Sequence, residues 1–235
     1  KVMKCWDDSP STDIPLVDLL KKHHAKATFN IIPMDERKPA MVKKVKPGDR
    51  VLFSFLPKDA SPEGGFQYEH LASREMPNIY KDFKVAGHCG VPLGDTEKDS
   101  KSRMQILMIT KEMIKNEFGQ KDCGFVYPGG RYNPSVMKDV EKAGFLYART
   151  TRNSDSLFPF DNPMALPTSC HWASPDFWEK YDEVKKKGGV FYFWGHSCEL
   201  GDDPDLWMWL ESIYKRISID PDAEWIDITD LFHKS

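Results

Sequence analysis

The chain has 235 residues, 40% of them hydrophobic and 29% charged, with a formal net charge of −3. This is an ordinary globular balance: no polybasic block points to a nucleic-acid partner held through its phosphates, and no apolar run approaches the roughly 20 residues of a membrane helix. Lys1 falls directly at an extended segment, so the sequence reads as trimmed at its N-terminus; an extracellular or cell-envelope location and a cytoplasmic one both stay open.

The first extended run, Val2-Met3-Lys4-Cys5-Trp6, leads into two adjacent carboxylates, Asp7 and Asp8, and stops at Ser9-Pro10. Neighbouring strand residues point to opposite faces. The pair therefore either reaches into a pocket mouth at two angles or forms a solvated strand-to-helix turn. Ser11, Thr12 and Asp13 offer helix N-caps, Pro15 suits a first turn, and Leu16, Val17, Leu19 and Leu20 form the apolar stripe of a helix that closes on basic residues 21–24. Residues 27–32 follow as a strand, which makes a right-handed β-α-β unit.

Residues 37–50 are basic, carry Pro39 and Pro47, and read as a surface loop. A strand is expected at 51–56, an exposed loop at 57–65, a weak helix at 68–76 and a short strand at 83–86 that ends in Gly87-His88-Cys89-Gly90. An amphipathic helix spans 100–118, a strand 124–128, a helix begins at Pro134, and a strand covers 145–150. Residues 153–165 read as irregular. A helix at 177–187, a buried strand at 189–194, a helix at 206–216 and a last strand at 225–228 complete the chain. Five cysteines (Cys5, Cys89, Cys123, Cys170, Cys198) lack Cys-x-x-Cys spacing and read as buried thiols.

Strands alternating with helices predict a parallel α/β fold, a distorted (β/α) barrel of about seven parallel strands forming one domain over residues 1–235. Functional groups of such barrels gather at the C-terminal ends of strands. That rule collects Asp7 and Asp8, His88, the stretch Tyr127-Pro128-Gly129-Gly130-Arg131-Tyr132, and Trp194-Gly195-His196-Ser197-Cys198-Glu199 on one face.

The order of these segments resembles the polysaccharide deacetylase family, carbohydrate esterases with a NodB-homology domain. Lys4 to Ser9 stands where the family has its Thr-Phe-Asp-Asp-Gly motif, and Lys26-Ala27-Thr28-Phe29 follows as expected. His88 opens a His-x-x-x-His motif, Tyr127 to Asn133 matches the Tyr-Pro-x-Gly-x-Tyr-Asn loop, and Trp194 to Ser197 matches the closing Trp-Gly-His-Ser. The resemblance implies hydrolysis of acetyl groups on a polysaccharide or amino sugar with a divalent metal, zinc in many members. It implies Asp8 and His88 as metal ligands, Asp7 as the base and His196 as the acid. It places the acetylated carbohydrate against Tyr127, Pro128, Gly129, Gly130, Arg131, Tyr132 and Trp194, with backbone N–H groups near Tyr132 at the oxyanion.

The sequence departs from the pattern at three places. Pro92 stands where the second histidine of His-x-x-x-His belongs, which leaves two ligands where catalytic zinc takes three. Asp95, Cys89 and His70 are the candidates to fill in. Ser9 replaces the glycine after the Asp pair, and the arginine that orients the base in many members would fall near Val126. Beside an active deacetylase, the sequence therefore admits an impaired relative that binds carbohydrate, or a hydrolase of the same fold acting on non-sugar C–N bonds. His171 receives no role.

Overall fold

The computed structural model describes residues 1–43, 65–90, 93, 100–154 and 160–233. In chain order the elements are β1 (Val2–Asp7), α1 (Asp13–Lys22), β2 (Thr28–Ile31), β3 (Lys38–Lys43), β4 (Gly65–His70), α2 (Met76–Ile79), β5 (Lys84–Gly87), α3 (Ser100–Phe118), β6 (Phe125–Val126), α4 (Pro134–Lys142), β7 (Ala148–Asn153), β8 (Leu166–Thr168), β9 (Cys170–His171), α5 (Phe177–Lys187), β10 (Phe191–Gly195) and α6 (Pro204–Ser218).

Eight strands form one parallel sheet in the order β8-β7-β6-β5-β2-β1-β10-β9. Its two edges, β8 and β9, are consecutive in sequence, with only Ser169 between them. The chain itself thus steps from one edge to the other and nearly closes the sheet into a distorted barrel. Ser169 holds the seam: its N–H donates to the Tyr192 carbonyl (2.6 Å), and its Oγ accepts from the Tyr192 N–H (3.0 Å). Closure of this kind removes open sheet edges.

β1 is buried along its whole length, as expected of a central parallel strand. Val2 and Trp6 pack in the cluster that holds Leu16, Leu20 and Tyr214, between sheet and helices. Met3 and Cys5 point the other way, into a second cluster with Tyr147, Tyr192 and Trp194 inside the barrel. Period-two alternation carries Asp7 to that same inner face at the strand's C-terminal end. No described helix is long and apolar enough to cross a membrane.

The structure corrects several expectations. Within the stretch read as a loop, residues 38–43 form β3, paired antiparallel to β4 in a separate two-stranded sheet. Residues 68–70, read as the start of a helix, belong to β4, and only the short α2 is helical there. A two-stranded ribbon is all edge, so Pro39 is tolerated, and the ribbon packs Val42 and Tyr68 on Cys198. The strand expected at 225–228 is a single bridge, Val2 to Trp225, followed by a 3₁₀ turn over Ile228–Leu231 whose capping box pairs Asp227 with Asp230. The expected strand at 51–56 lies outside the described residues. All five cysteines are buried, and none forms a disulfide among the described residues.

Candidate active site

The C-terminal ends of β1, β5, β6, β7 and β10 surround a cleft of about 1160 Å³ lined by Asp7, Asp8, His70, His88, Arg149, His171, Trp194 and His196, among others. Asp7 closes β1, and its register partner on β2 is Asn30. Asn30 Nδ2 donates to Asp7 Oδ1 (2.6 Å), and the Arg149 guanidinium donates to Oδ2. Burial alone would raise the Asp7 pKa; the guanidinium, with His196 and His88, outweighs it and holds the carboxyl well below the usual range.

Asp8 reaches the same cleft because the backbone turns sharply after the strand. Asp8 and Ser9 have φ of 74° and 49°, in the left-handed region that costs a non-glycine residue roughly 1–2 kcal/mol. Ser9 thus holds a left-handed conformation that glycine adopts without steric cost. Its Oγ accepts from the Ile32 N–H (3.3 Å), which ties the turn to the end of β2.

His88, just past β5, donates from Nδ1 to the Val126 carbonyl (2.9 Å), since a carbonyl only accepts. Nε2 lies 3.0 Å from Asp8 Oδ1, where a protonated ring would donate to the carboxylate and a neutral ring would offer its lone pair to a cation shared with that oxygen. The pattern of a ring with its second N–H on a backbone carbonyl is also that of metal-bound histidines. Asp8 and His88 thus fit a divalent cation. Pro92 and Asp95 lie outside the described residues. Cys89 lines the cleft, and so does His70, whose Nδ1 donates to the Asp8 carbonyl (2.8 Å).

His196, just past β10, is gripped from behind. Its Nδ1 donates to Glu199 Oε1 (2.9 Å) within one 3₁₀ turn, so Nε2 faces the Asp pair, 3.5 Å from Asp8 Oδ2 and 3.9 Å from Asp7 Oδ2. Burial lowers its pKa, but Asp8, Glu199 and Asp7 outweigh that and raise it to about 9. Glu199 is fully buried; His196 Nδ1 and Trp172 Nε1 (2.5 Å) donate to it, and His171 Nε2 lies 2.9 Å from its Oε2. Burial opposes its charge, yet the His171 and His196 rings hold it well below the usual range.

Among the described residues, His171, His196 and Glu199 are the trio whose ligand atoms lie within 4.8 Å of one another. The protons argue against a metal there. The Ala173 N–H donates to His171 Nδ1 (3.2 Å), so in the neutral ring the proton sits on Nε2, 2.9 Å from Glu199 Oε2. A metal on Nε2 would demand loss of that bond or a doubly deprotonated ring. Burial lowers the His171 pKa, in keeping with a neutral donor.

No protein-family model matches the sequence, and no curated protein matches it. Solved structures do. A protein of Mycobacterium smegmatis assigned as a polysaccharide deacetylase aligns with 98% of this chain and 87% of its own, at TM-score 0.61 and 14% identity. A peptidoglycan N-acetylglucosamine deacetylase aligns with 100% and 89%, at 0.55 and 16%. A family 4 acetyl xylan esterase from Clostridium thermocellum, in complex with a cobalt ion, aligns with 98% and 89%, at 0.51 and 15%.

The chain has the polysaccharide deacetylase fold.

On this deacetylase fold, the expected site residues fall as follows. Asp7, Asp8, His88, His196 and Trp194 line one cleft, together with Tyr127, Pro128, Gly129 and Arg131. The Tyr127 ring is buried, with its hydroxyl donating to the Met164 carbonyl (2.9 Å), and Tyr132 stacks on it at 5.0 Å. Gly130 braces the loop from behind. With φ of 68°, and with Thr151 Oγ1 only 2.1 Å from where a Cβ would stand, the position excludes a side chain.

Sequence reasoning gave no role to Arg149, Glu199, Asn30 or His171. The arginine expected near Val126 is one strand over at the same height: Arg149 is the register partner of Val126 on β7. The signal was an arginine on a strand next to that position, and only the strand order reveals it.

Proposed function

We propose that the protein is a metal-dependent hydrolase that removes acetyl groups from a polysaccharide or amino sugar. The observation that carries this reading is a pair of oppositely prepared groups at one cleft: Asp7, held ionised by Arg149, and His196, held protonated by carboxylates, 3.9 Å apart. Groups pushed to opposite protonation states in one site are the mark of an acid and a base with separate roles.

Asp8 Oδ1 and His88 Nε2 would hold the cation; a divalent ion such as zinc polarises an acetyl carbonyl and makes water more acidic. Asp7 accepts the proton of the attacking water. Its bonds from Asn30 and Arg149 occupy one site on each oxygen and fix the direction of the remaining lone pairs. His196 Nε2 delivers a proton to the departing nitrogen or oxygen, and Glu199 keeps the ring oriented as it does so. Trp194 and Arg131 flank the cleft where a sugar would lie. The amide substrate of one structural neighbour and the cobalt ion of another agree with this reading.

Pro92, in place of the expected ligand, favours a second reading: a carbohydrate-binding relative without turnover. Acetate release from N-acetylglucosamine oligomers by zinc-loaded protein separates the two. Binding without acetate supports the second, and release that Asp7→Asn abolishes supports the first. Release from simple amides in preference to glycans would instead mark a hydrolase of non-sugar C–N bonds.

A further inference from the structure

We propose that Asp13, the first residue of α1, is a positioning residue for the acid: it ties the turn that carries His196 to the turn that follows the Asp pair. The inference rests on the acid role proposed above for His196. It concerns side chains that lie behind the cleft wall rather than on it.

Asp13 is fully buried, and so are Ser197 and Tyr80. Ser197 Oγ donates to Asp13 Oδ1 and the Tyr80 hydroxyl donates to Oδ2, each at 2.6 Å. Thr12 Oγ1 lies 2.7 Å from Ser197 Oγ; with the serine proton committed to Asp13, the threonine is the donor. Thr12 stands at the N-cap of α1, yet its side chain makes no cap bond. A hydroxyl at that position ordinarily caps its own helix. Here it turns to Ser197 instead, so two consecutive residues at the start of α1 spend their side chains on the neighbour of His196.

The place of this bond is what gives it a role. β1 and β10 are paired strands, but their register runs out at Trp6 and Gly195, one residue short of Asp7 and of His196. Beyond that point the ladder no longer fixes the acid relative to the carboxylates. Ser197 opens the 3₁₀ turn that ends at Leu200 and contains Glu199. Asp13 closes the turn after the Asp pair, its N–H donating to the Pro10 carbonyl (2.9 Å). The Asp13–Ser197 bond therefore continues the cross-connection where the strands leave off, while Val42 and Tyr68 pack on Cys198 in the same 3₁₀ turn. The result is a His196 Nε2 held 3.5 Å from Asp8 Oδ2 and 3.9 Å from Asp7 Oδ2. Misplacing one group of such a constellation by about 1 Å costs on the order of 100-fold in rate.

The variants separate this tie from plain support of the fold. Ser197→Ala cuts it on the acid side. Tyr80→Phe removes a bond of the same length from the other oxygen of the same carboxylate and carries a comparable structural cost. Thr12→Val is a milder cut that takes no cap from α1. Asp13→Ala removes the hub, whereas Asp13→Asn keeps a carbonyl oxygen for Ser197 and an N–H for the Tyr80 oxygen. Two readouts are taken on variants shown to be folded by circular dichroism: acetate release from N-acetylglucosamine oligomers by zinc-loaded protein, and amide hydrogen exchange over residues 196–201. The proposal expects kcat to fall about tenfold or more in Ser197→Ala and Asp13→Ala at nearly unchanged KM, with faster exchange in the turn. It expects a smaller fall in Thr12→Val, and recovery in Asp13→Asn of most of the rate lost in Asp13→Ala. Tyr80→Phe should keep the wild-type kcat and the wild-type exchange of the turn. Wild-type kcat in Ser197→Ala overturns the proposal, and so does an equal loss in Tyr80→Phe, which would mark the network as structural only. If the wild type releases no acetate, the deacetylase reading falls and exchange alone decides the tie. Unchanged exchange in Ser197→Ala, or equal acceleration in Tyr80→Phe, then overturns it.

Discussion

Replacing Arg149 by methionine isolates the interaction on which the proposed base depends. Both partners are buried, Arg149 at 1% and Asp7 at 3% exposure, so water does not compensate when the guanidinium leaves. The carboxylate would keep Asn30 as its bonded donor, with His196 at 3.9 Å, and the stacking of Arg149 on Trp194 at 4.9 Å would go. Removing one member of a buried ion pair costs about 3–5 kcal/mol, against a typical folding stability of about 5–15 kcal/mol. The pH dependence follows from the sign. In the wild type the Asp7 pKa is depressed, so its contribution is present above the unfolded value and is lost only in strong acid. Without Arg149, burial raises that pKa, and the variant loses further stability as pH rises through it. Urea denaturation at several pH values should therefore show a deficit that grows from about pH 4 to pH 7. Adding Asp7→Asn should recover part of the loss, because no charge is then left unpaired. A deficit below about 1 kcal/mol at pH 7, or strict additivity in the double variant, would refute the reasoning.

Other expectations follow from the same geometry. Glu199→Gln removes the anion behind His196 and should lower turnover about 100-fold with little change in KM, read from initial rates on an acetylated substrate; a pure KM effect would count against its orienting role. Burial raises the Asp13 pKa to about 7, even though the hydroxyls of Ser197 and Tyr80 bond to it. Its stabilising effect is full below the unfolded value near 4 and fades as pH rises through about 7, so Asp13→Asn should flatten the fall in melting temperature over that window. Lys4 is buried over the rings of Trp6 (3.5 Å) and Phe193 (4.7 Å), and desolvation lowers its pKa to about 7. With no hydrogen bond from its Nζ among the described residues, Lys4→Met should hold or raise the melting temperature, and a drop of several degrees would show that the ammonium has a role.

The parallel sheet was legible because its strands are short apolar runs alternating with amphipathic helices, and the Asp7, Asp8, His88 and His196 cleft followed from their places at strand ends. The hairpin was not. β3 is rich in lysine and proline, and its partner β4 begins more than 20 residues later, so only tertiary pairing makes either a strand. The support around the acid and base was hidden for the same reason. Arg149 reaches Asp7 because the sheet curls until β7, with three strands between it and β1, faces it across the barrel interior, and Glu199 reaches His196 because a 3₁₀ turn brings a residue three positions on back beneath the ring. Ser9 shows the opposite case: a departure in sequence that the backbone absorbs by holding a serine in a glycine-like conformation.

The central claim is that Asp7 acts as a base on an acetylated carbohydrate. The most direct measurement is acetate release from N-acetylglucosamine oligomers by zinc-loaded wild type and Asp7→Asn, with zinc content determined on the same samples. The account predicts release by the wild type and at least a 100-fold lower rate in the variant at equal zinc content. Equal rates in the two proteins, or no acetate from any acetylated glycan by the zinc-loaded wild type, would contradict it.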